Sequence, residues 1–425
     1  MPDEHNQPPT AAPITCPQCG QTVPAGLVYC THCGTPLAAT IPDTPEPLSG
    51  WAMAGYILLL LAGVLLGLGG IGYLIMVLVV GGAVFDTALA IGAAAVGAGT
   101  VFHSTRALDP RRRQEMSLLP EWVWTSSMVF IWAVGLALYY VLPDAQQWFL
   151  PPLIVAGAWT MSLFFLRATI HGLRSPAGRE KIDQPLPSRF RVYLSTTVSA
   201  ALSTGLALLL EGIALVGTLA IMLATTQVIG DQDTVTLLTE IADDPQALQR
   251  LEEAITQSPA ALAGLGSILV FIAPAIEEGV KAIPLFFFAR QRKQLSERRA
   301  ILLGVACGVG FAFAENVGYL SAFAETWSLI FWFRAAAAVM HGAASGYVGR
   351  AWYHGVHDGK WGKMLLDLCR GWGIHAFWNG LALAMGWFAY QEMMVGVLFC
   401  VGLGLAPLAL LFTILARWGI WVNET

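Results

Sequence analysis

The chain has 425 residues, 56% of them hydrophobic and 12% charged, with a formal net charge of −5 at pH 7. Soluble domains carry roughly 25% charged residues, so this composition excludes an ordinary soluble globule and marks an integral membrane protein. The mildly acidic balance leaves no nucleic-acid partner to expect, and the opening MPDEHNQPPTAAP has no apolar stretch that would make it a secretory leader.

Residues 1–15 are polar and Pro-rich and read as disordered. CPQCG and CTHCG follow, separated by the ten residues Gly20 to Tyr29. Cys16, Cys19, Cys30 and Cys33 at this spacing supply four thiolates to one tetrahedral zinc, so 16–37 is expected to be a small zinc ribbon. With all four positions filled by Cys, that zinc is structural. A pair of disulfides is the competing reading, disfavoured by a reducing cytoplasmic location. Residues 38–50 form a Pro-rich linker. Cys307, Cys369 and Cys400 lie in apolar stretches and read as packing residues.

Hydrophobic stretches then run near Trp51 to Val80, Val84 to Phe102, Trp122 to Leu142, Pro151 to Ile170, Tyr193 to Ala224, Leu262 to Phe288, Ala300 to Phe323, Trp327 to Tyr347, Leu366 to Tyr390 and Val395 to Ala416. Each is near the roughly 20 residues that span a bilayer, so an all-α polytopic fold with about ten transmembrane helices is expected. The first turn sits either after Val80 or at the glycines of 69–72. Arg and Lys collect after the second, fourth, sixth and eighth stretches, while the loop 225–260 is acidic apart from Arg250. Positive charge stays inside, which places both termini and the ribbon in the cytoplasm and the acidic loop outside a multi-pass cell-membrane protein.

Four successive stretches carry ionisable or amide residues near their middles: Glu277, Glu278 and Lys281; Glu315 and Asn316; Arg334 and His341; His375 and Asn379. A charge at bilayer depth costs at least about 2.5 kcal/mol, so such residues are rare and usually functional. Glu277 and Lys281, and His375 and Asn379, are four apart and share a helix face; Arg334 and His341 are seven apart. Glu278 points about 100° away from Glu277, so the two acids cannot do the same job. Counting from the cytoplasmic ends, Glu277, His341 and His375 lie about 10 to 17 Å deep, with Glu315 a little deeper. Glu211, in the fifth stretch, is a further intramembrane acid without an assigned role.

A carboxylate, two imidazoles and a carboxamide in a partly dry pocket suit hydrolysis, with Glu taking a proton from water and His or Asn donating to the oxyanion. Neither HExxH nor GxSG nor GxGD marks a span, which removes three other intramembrane protease chemistries.

EEGVK (Glu277 to Lys281), FAFAEN (Phe311 to Asn316), the His341 helix led by Arg334, and HAFWN (His375 to Asn379) resemble, in order and spacing, the four motifs of the PrsW family of intramembrane proteases. The resemblance covers about residues 260–400, within a core of 261–418; the helices of 51–224 lie outside it. PrsW proteins are similar to the CAAX prenyl endopeptidase and bacteriocin-processing group, regarded as glutamic-type. The resemblance implies Glu277 as water-activating base, Glu278 supporting it, His341 as catalytic His, and His375 with Asn379 holding the oxyanion. Lys281, Asn316 and Arg334 are supporting residues. Where the CAAX group has a second-motif His this chain has Glu315, which leaves open whether Glu315 or His341 pairs with Glu277. Three carboxylates and two His also suit a divalent metal, so metal-free and metal-assisted hydrolysis both stand.

The implied substrate is a membrane-anchored protein or peptide, and the ribbon would recruit a cytoplasmic partner or sense a signal. Two other classes compete: an ion-binding transporter, against which no inverted repeat is visible, and a non-catalytic membrane scaffold displaying the ribbon.

Overall fold

A computed structural model of the protein describes residues 13–16, 18–23, 32–33, 50–109, 121–173, 189–226, 258–285, 296–402 and 404–405. The chain divides into two compact units, Met1–Gly50 and Trp51–Thr425. Cys30, most of the linker, the acidic loop and the last stretch beyond 405 lie outside the described residues.

In the first unit, β1 (Ile14–Thr15) and β2 (Thr22–Val23) pair antiparallel, Ile14 opposite Val23. Between them the chain reverses at Gly20, whose φ of 70° lies in the left-handed region that glycine enters without steric cost. Cys16 N–H donates to Gln21 O and Gly20 N–H to Cys16 O, each at 2.9 Å, which closes the knuckle around the Cys16 sulfur.

The second unit is helical. Its elements are α1 (Gly50–Val80), α2 (Val84–Leu108), α3 (Glu121–Val141), α4 (Gln146–Leu173), α5 (Arg189–Val198), α6 (Thr204–Thr226), α7 (Pro259–Ser267), α8 (Ala273–Lys281), α9 (Glu297–Ala322), α10 (Trp327–Trp352) and α11 (Trp361–Tyr390). A further helical segment covers 394–402. Among the described residues, five segments are long and apolar enough to cross a membrane: Met53–Val80, Val84–Leu108, Pro143–Ile170, Arg191–Thr218 and Glu297–Ala322. α10 and α11 are as long, but Arg334, His341 and Arg350 in one, and Asp367, Arg370 and His375 in the other, dilute their apolarity. Leu58, Leu65 and Val79 of α1 and Leu208, Ile213 and Val216 of α6 are exposed, an arrangement that suits hydrocarbon surroundings and not water.

The first turn falls at Gly81 (φ 84°), where the N–H groups of Gly81 and Gly82 both reach back to Val77 O. The 69–72 glycines continue α1; Gly70 among them serves packing, since a Cβ there would collide with the Ala94 backbone of α2. α4 starts before the expected Pro151, carrying Pro151 and Pro152 near its first turns. α9 is capped by Ser296, whose side chain accepts from Arg299 N–H, with Glu297 in the first turn favouring the positive end of the dipole.

α9 runs through the middle of the bundle, in contact with α2, α4, α5 and α10. Ala312, Phe313 and Val317 on it pack with Ile154, Trp327 and Phe331 in one core, and Ile301, Val305 and Val309 with Leu163, Phe165 and Val192 in another. Its approach to α10 is set by small residues: a Cβ on Gly308 would collide with the His341 carbonyl, and one on Gly304 with the Ser345 carbonyl. At one end of α10 and α11, Arg350 binds Asp367 through two nitrogens at 2.8 and 2.7 Å, and Arg370 adds a bond of 3.0 Å. In the adjoining turn Lys360, at 2.8 Å, holds the Asp358 carboxyl down to about 2. Of the other cysteines, Cys307 and Cys400 are buried and Cys369 is exposed.

Among the described residues, three π-turns interrupt the helices, at Ser199–Ser203, Ile268–Ile272 and Tyr353–His357. The middle one stands directly before α8. A π-turn disturbs the regular backbone ladder, and in lipid each freed group needs a partner inside the protein. Asn379 Nδ2–H supplies one to Leu269 O and Trp372 Nε1–H one to Phe271 O, both at 2.9 Å, so α11 is pinned to the turn that aims α8.

Candidate active site

α8 carries Glu277, Glu278 and Lys281 into the bundle, where they are 6%, 4% and 1% exposed. Lys281 Nζ is the hub. It donates to Glu277 Oε2 at 3.0 Å, to Glu278 Oε1 at 2.9 Å and to His341 Nδ1 at 2.8 Å, and it stands 4.0 Å from the centroid of the Phe311 ring. An ammonium has only protons to offer, so His341 Nδ1 is the acceptor there. The ring proton then sits on Nε2, which donates to Glu315 Oε2 at 2.6 Å. Glu315 Oε2 also takes a 2.7 Å bond from Arg334, whose Nε donates to Asn316 Oδ1 at 2.6 Å. Asn316 in turn donates to Arg334 O at 3.2 Å. Glu315 is therefore the partner of Arg334 and His341, and Glu277 the partner of Lys281.

The two adjacent acids have different surroundings. Glu278 accepts from Lys281 and from His375 Nδ1 (2.9 Å) at Oε1, and from Ser345 Oγ (2.9 Å) at Oε2, so both its oxygens are engaged inside the protein. Glu277 lines a cavity of about 800 Å³ that Glu278 does not reach. Glu315, Arg334, His341, Asn379 and Glu211 stand on the same wall, among apolar residues of α1, α2, α6, α9 and α11. His375 lies behind that wall, with Nε2 3.7 Å from Glu277 Oε2. The resemblance implies His375 and Asn379 together at the oxyanion; in the fold His375 Nδ1 is bonded to Glu278 Oε1 at 2.9 Å. Asn379 reaches the cavity while it caps the π-turn.

Three contributors had escaped assignment. Ser345 gives no sequence signal, being a small polar residue within an apolar helix. Leu269 acts through its backbone carbonyl alone. Glu211 did carry a signal, an acid within a span, and the fold puts it on the cavity wall; among the described residues its Oε1 is buried without a hydrogen-bond partner.

The sequence model described as PrsW family intramembrane metalloprotease matches residues 192–405, half of the chain. This chain belongs to the PrsW family. The matched region runs from α5 to the segment after α11 and holds every site residue named above. Membership and the long apolar helices make it a multi-pass membrane protein and a membrane protease. No curated protein and no solved structure matches it.

A PrsW metalloprotease implies a metal, which the site geometry can test. Glu277, His341 and His375 offer ligand atoms within 4.8 Å of one another, a carboxylate and two imidazoles as in many hydrolytic zinc sites. His341 Nδ1 lies 3.9 Å and His375 Nε2 3.7 Å from Glu277 Oε2. The far nitrogen of each ring is held by a carboxylate, Glu315 or Glu278, as second-sphere groups hold metal-bound imidazoles. The residues nevertheless do not fit a divalent ion as arranged. Lys281 Nζ bonds both Glu277 Oε2 and His341 Nδ1, and a lone pair directed at an ammonium is not available to a metal.

In the first unit, Cys16, Cys19 and Cys33 present sulfur atoms within 4.8 Å of one another and could hold a zinc. Cys16 Sγ and Cys33 Sγ are 3.6 Å apart. The Cys19 backbone N–H aimed at the Cys16 sulfur holds that thiol below its ordinary value, against the opposing effect of burial, and so favours the thiolate a metal needs.

Proposed function

We propose that the protein is an intramembrane endopeptidase that hydrolyses peptide bonds of membrane-anchored proteins or peptides, with Glu277 as the base that activates water. The supporting observation is that Glu277, alone of the adjacent acid pair, lines the cavity, whereas both oxygens of Glu278 are engaged inside the protein. Glu277 takes a proton from water as the water oxygen attacks the scissile carbonyl carbon. The tetrahedral oxyanion accepts hydrogen bonds from the Asn379 amide, whose second N–H is not needed by Leu269. As the C–N bond breaks, the proton held by Glu277 passes to the leaving amine, so the carboxylate is regenerated. His341, with both ring nitrogens engaged by Lys281 and Glu315, fixes the position of Lys281 beside Glu277. Glu278, saturated by three donors, holds Lys281 and His375 in place.

The wider reading is of about ten spans, with both termini in the cytoplasm. Arg106 in the last turn of α2, Arg298 and Arg299 in the first turn of α9, Arg350 in the last turn of α10, Lys360 between α10 and α11 and Lys363 in the first turn of α11 support that side by the positive-inside rule. A zinc held by Cys16, Cys19, Cys30 and Cys33 would make the N-terminal unit a ribbon, suited to recruiting a cytoplasmic partner or substrate.

The test is cleavage of a panel of single-pass membrane peptides by purified protein in liposomes, comparing wild type with Glu277→Gln and Asn379→Leu. The amide at 277 keeps the side-chain shape and removes the base, so cleavage should disappear while the folded protein remains. If Glu277→Gln protein cut as fast as wild type, the assignment of the base would be wrong.

A further inference from the structure

We propose that the Lys281 ammonium serves this centre in place of a divalent cation. The donor set of an ion site is assembled complete with its outer carboxylates, and a tethered amine occupies the position from which an ion would draw its charge. Three observations carry this. Nζ is ringed by Glu277 Oε2, Glu278 Oε1 and His341 Nδ1 at 3.0, 2.9 and 2.8 Å, so every ammonium proton has an acceptor. The Phe311 ring, its centroid 4.0 Å from Nζ, also stabilises a cation there. Glu277, His341 and His375 still converge as ion ligands would, within 4.8 Å of one another.

An ion bound by Glu277 and His341 would displace two of the three Nζ bonds and bring a second cation against the buried ammonium. The fixed amine therefore excludes the ion while supplying a positive charge between Glu277 and Glu278 and orienting His341. Removing the amine should expose a site that takes a transition ion. The inference concerns the same centre as the proposed hydrolase, but its test reads ion content, so either can fail without the other.

The experiment uses full-length protein in which Cys16, Cys19, Cys30 and Cys33 are all replaced by Ser, so that no thiol site contributes. Zinc retained after equilibration and dialysis is measured by mass spectrometry, and cobalt by its visible absorption. With Lys281 intact, no stoichiometric ion should be retained. Lys281→Met should bind zinc or cobalt one-to-one, with the absorption of a tetrahedral nitrogen and oxygen site, and adding His375→Ala should abolish it. Lys281→Arg, which keeps a cation, should stay free of ion. A stoichiometric ion in the Lys281 protein, lost on His341→Ala or His375→Ala, would overturn the proposal, as would a folded Lys281→Met protein that binds none. If Lys281→Met or Lys281→Ala assembles only with zinc present, the proposal holds. If neither assembles under any condition, the Lys281 protein decides alone: a bound ion refutes the exclusion and its absence sustains it.

Discussion

Replacing Glu278 by Ala separates the two acids of the pair. Glu278 is 4% exposed and accepts from Lys281, His375 and Ser345. Two magnitudes bear on the cost. Hydrogen bonds between membrane helices average about 0.6 kcal/mol each, so losing those from His375 and Ser345 would cost about 1 kcal/mol. Breaking a buried ion pair from one side costs about 3–5 kcal/mol, because the partner charge stays buried. Lys281 keeps Glu277 as a counter-ion, so the charge is only partly uncompensated and the expected loss lies between these figures, about 2–4 kcal/mol. Reversible unfolding in mixed detergent and SDS micelles measures it, with Glu277→Gln as control. The control should lose cleavage and, because the amide can still accept from Lys281, no more than about 1 kcal/mol. If Glu278→Ala were as stable as wild type while Glu277→Gln unfolded, the roles argued from the cavity wall would be reversed.

Gly308→Ala places a methyl against the His341 carbonyl, so α9 and α10 must separate. Over-packing of this kind costs about 1–3 kcal/mol, and because His341 rides on α10, cleavage should fall further than stability does; unfolding and kinetics on one preparation check this. Asn379→Leu removes a donor from the cavity wall and should lower kcat about 10²- to 10³-fold, as loss of one oxyanion donor does, with KM little changed. A Cys16→Ser protein should retain less zinc than wild type after equilibration with zinc and dialysis, measured as metal content, since Cys16 is the buried thiol of the cluster.

The polar residues of the matched region were legible because a charge in an apolar run is costly enough to stand out unaided. Glu277, Lys281, Glu315, Arg334, His341 and His375 could be picked from the chain on that ground and are brought together here. Helix positions followed from length and hydropathy, although the glycines of α1 read equally well as a turn. The π-turn at Ile268–Ile272 had no comparable signal: its residues ILVFI are ordinary for any buried helix. Its need for partners explains why Asn379 and Trp372 face it, and neither pairing follows from spacing along α11.

Composition and motif order thus suffice for the all-helical membrane class, the family and the membership of the polar centre, because burying charge in hydrocarbon penalises every residue without a reason to be there. Which charge meets which could not be read along the chain. Partner choice depends on how closely α9 and α10 approach and on the rotation that the π-turn gives α8. Through these contacts Glu315 turns to Arg334 and His341, Glu278 is enclosed, Glu277 is left facing the cavity, and Lys281 comes to stand between Glu277, Glu278 and His341.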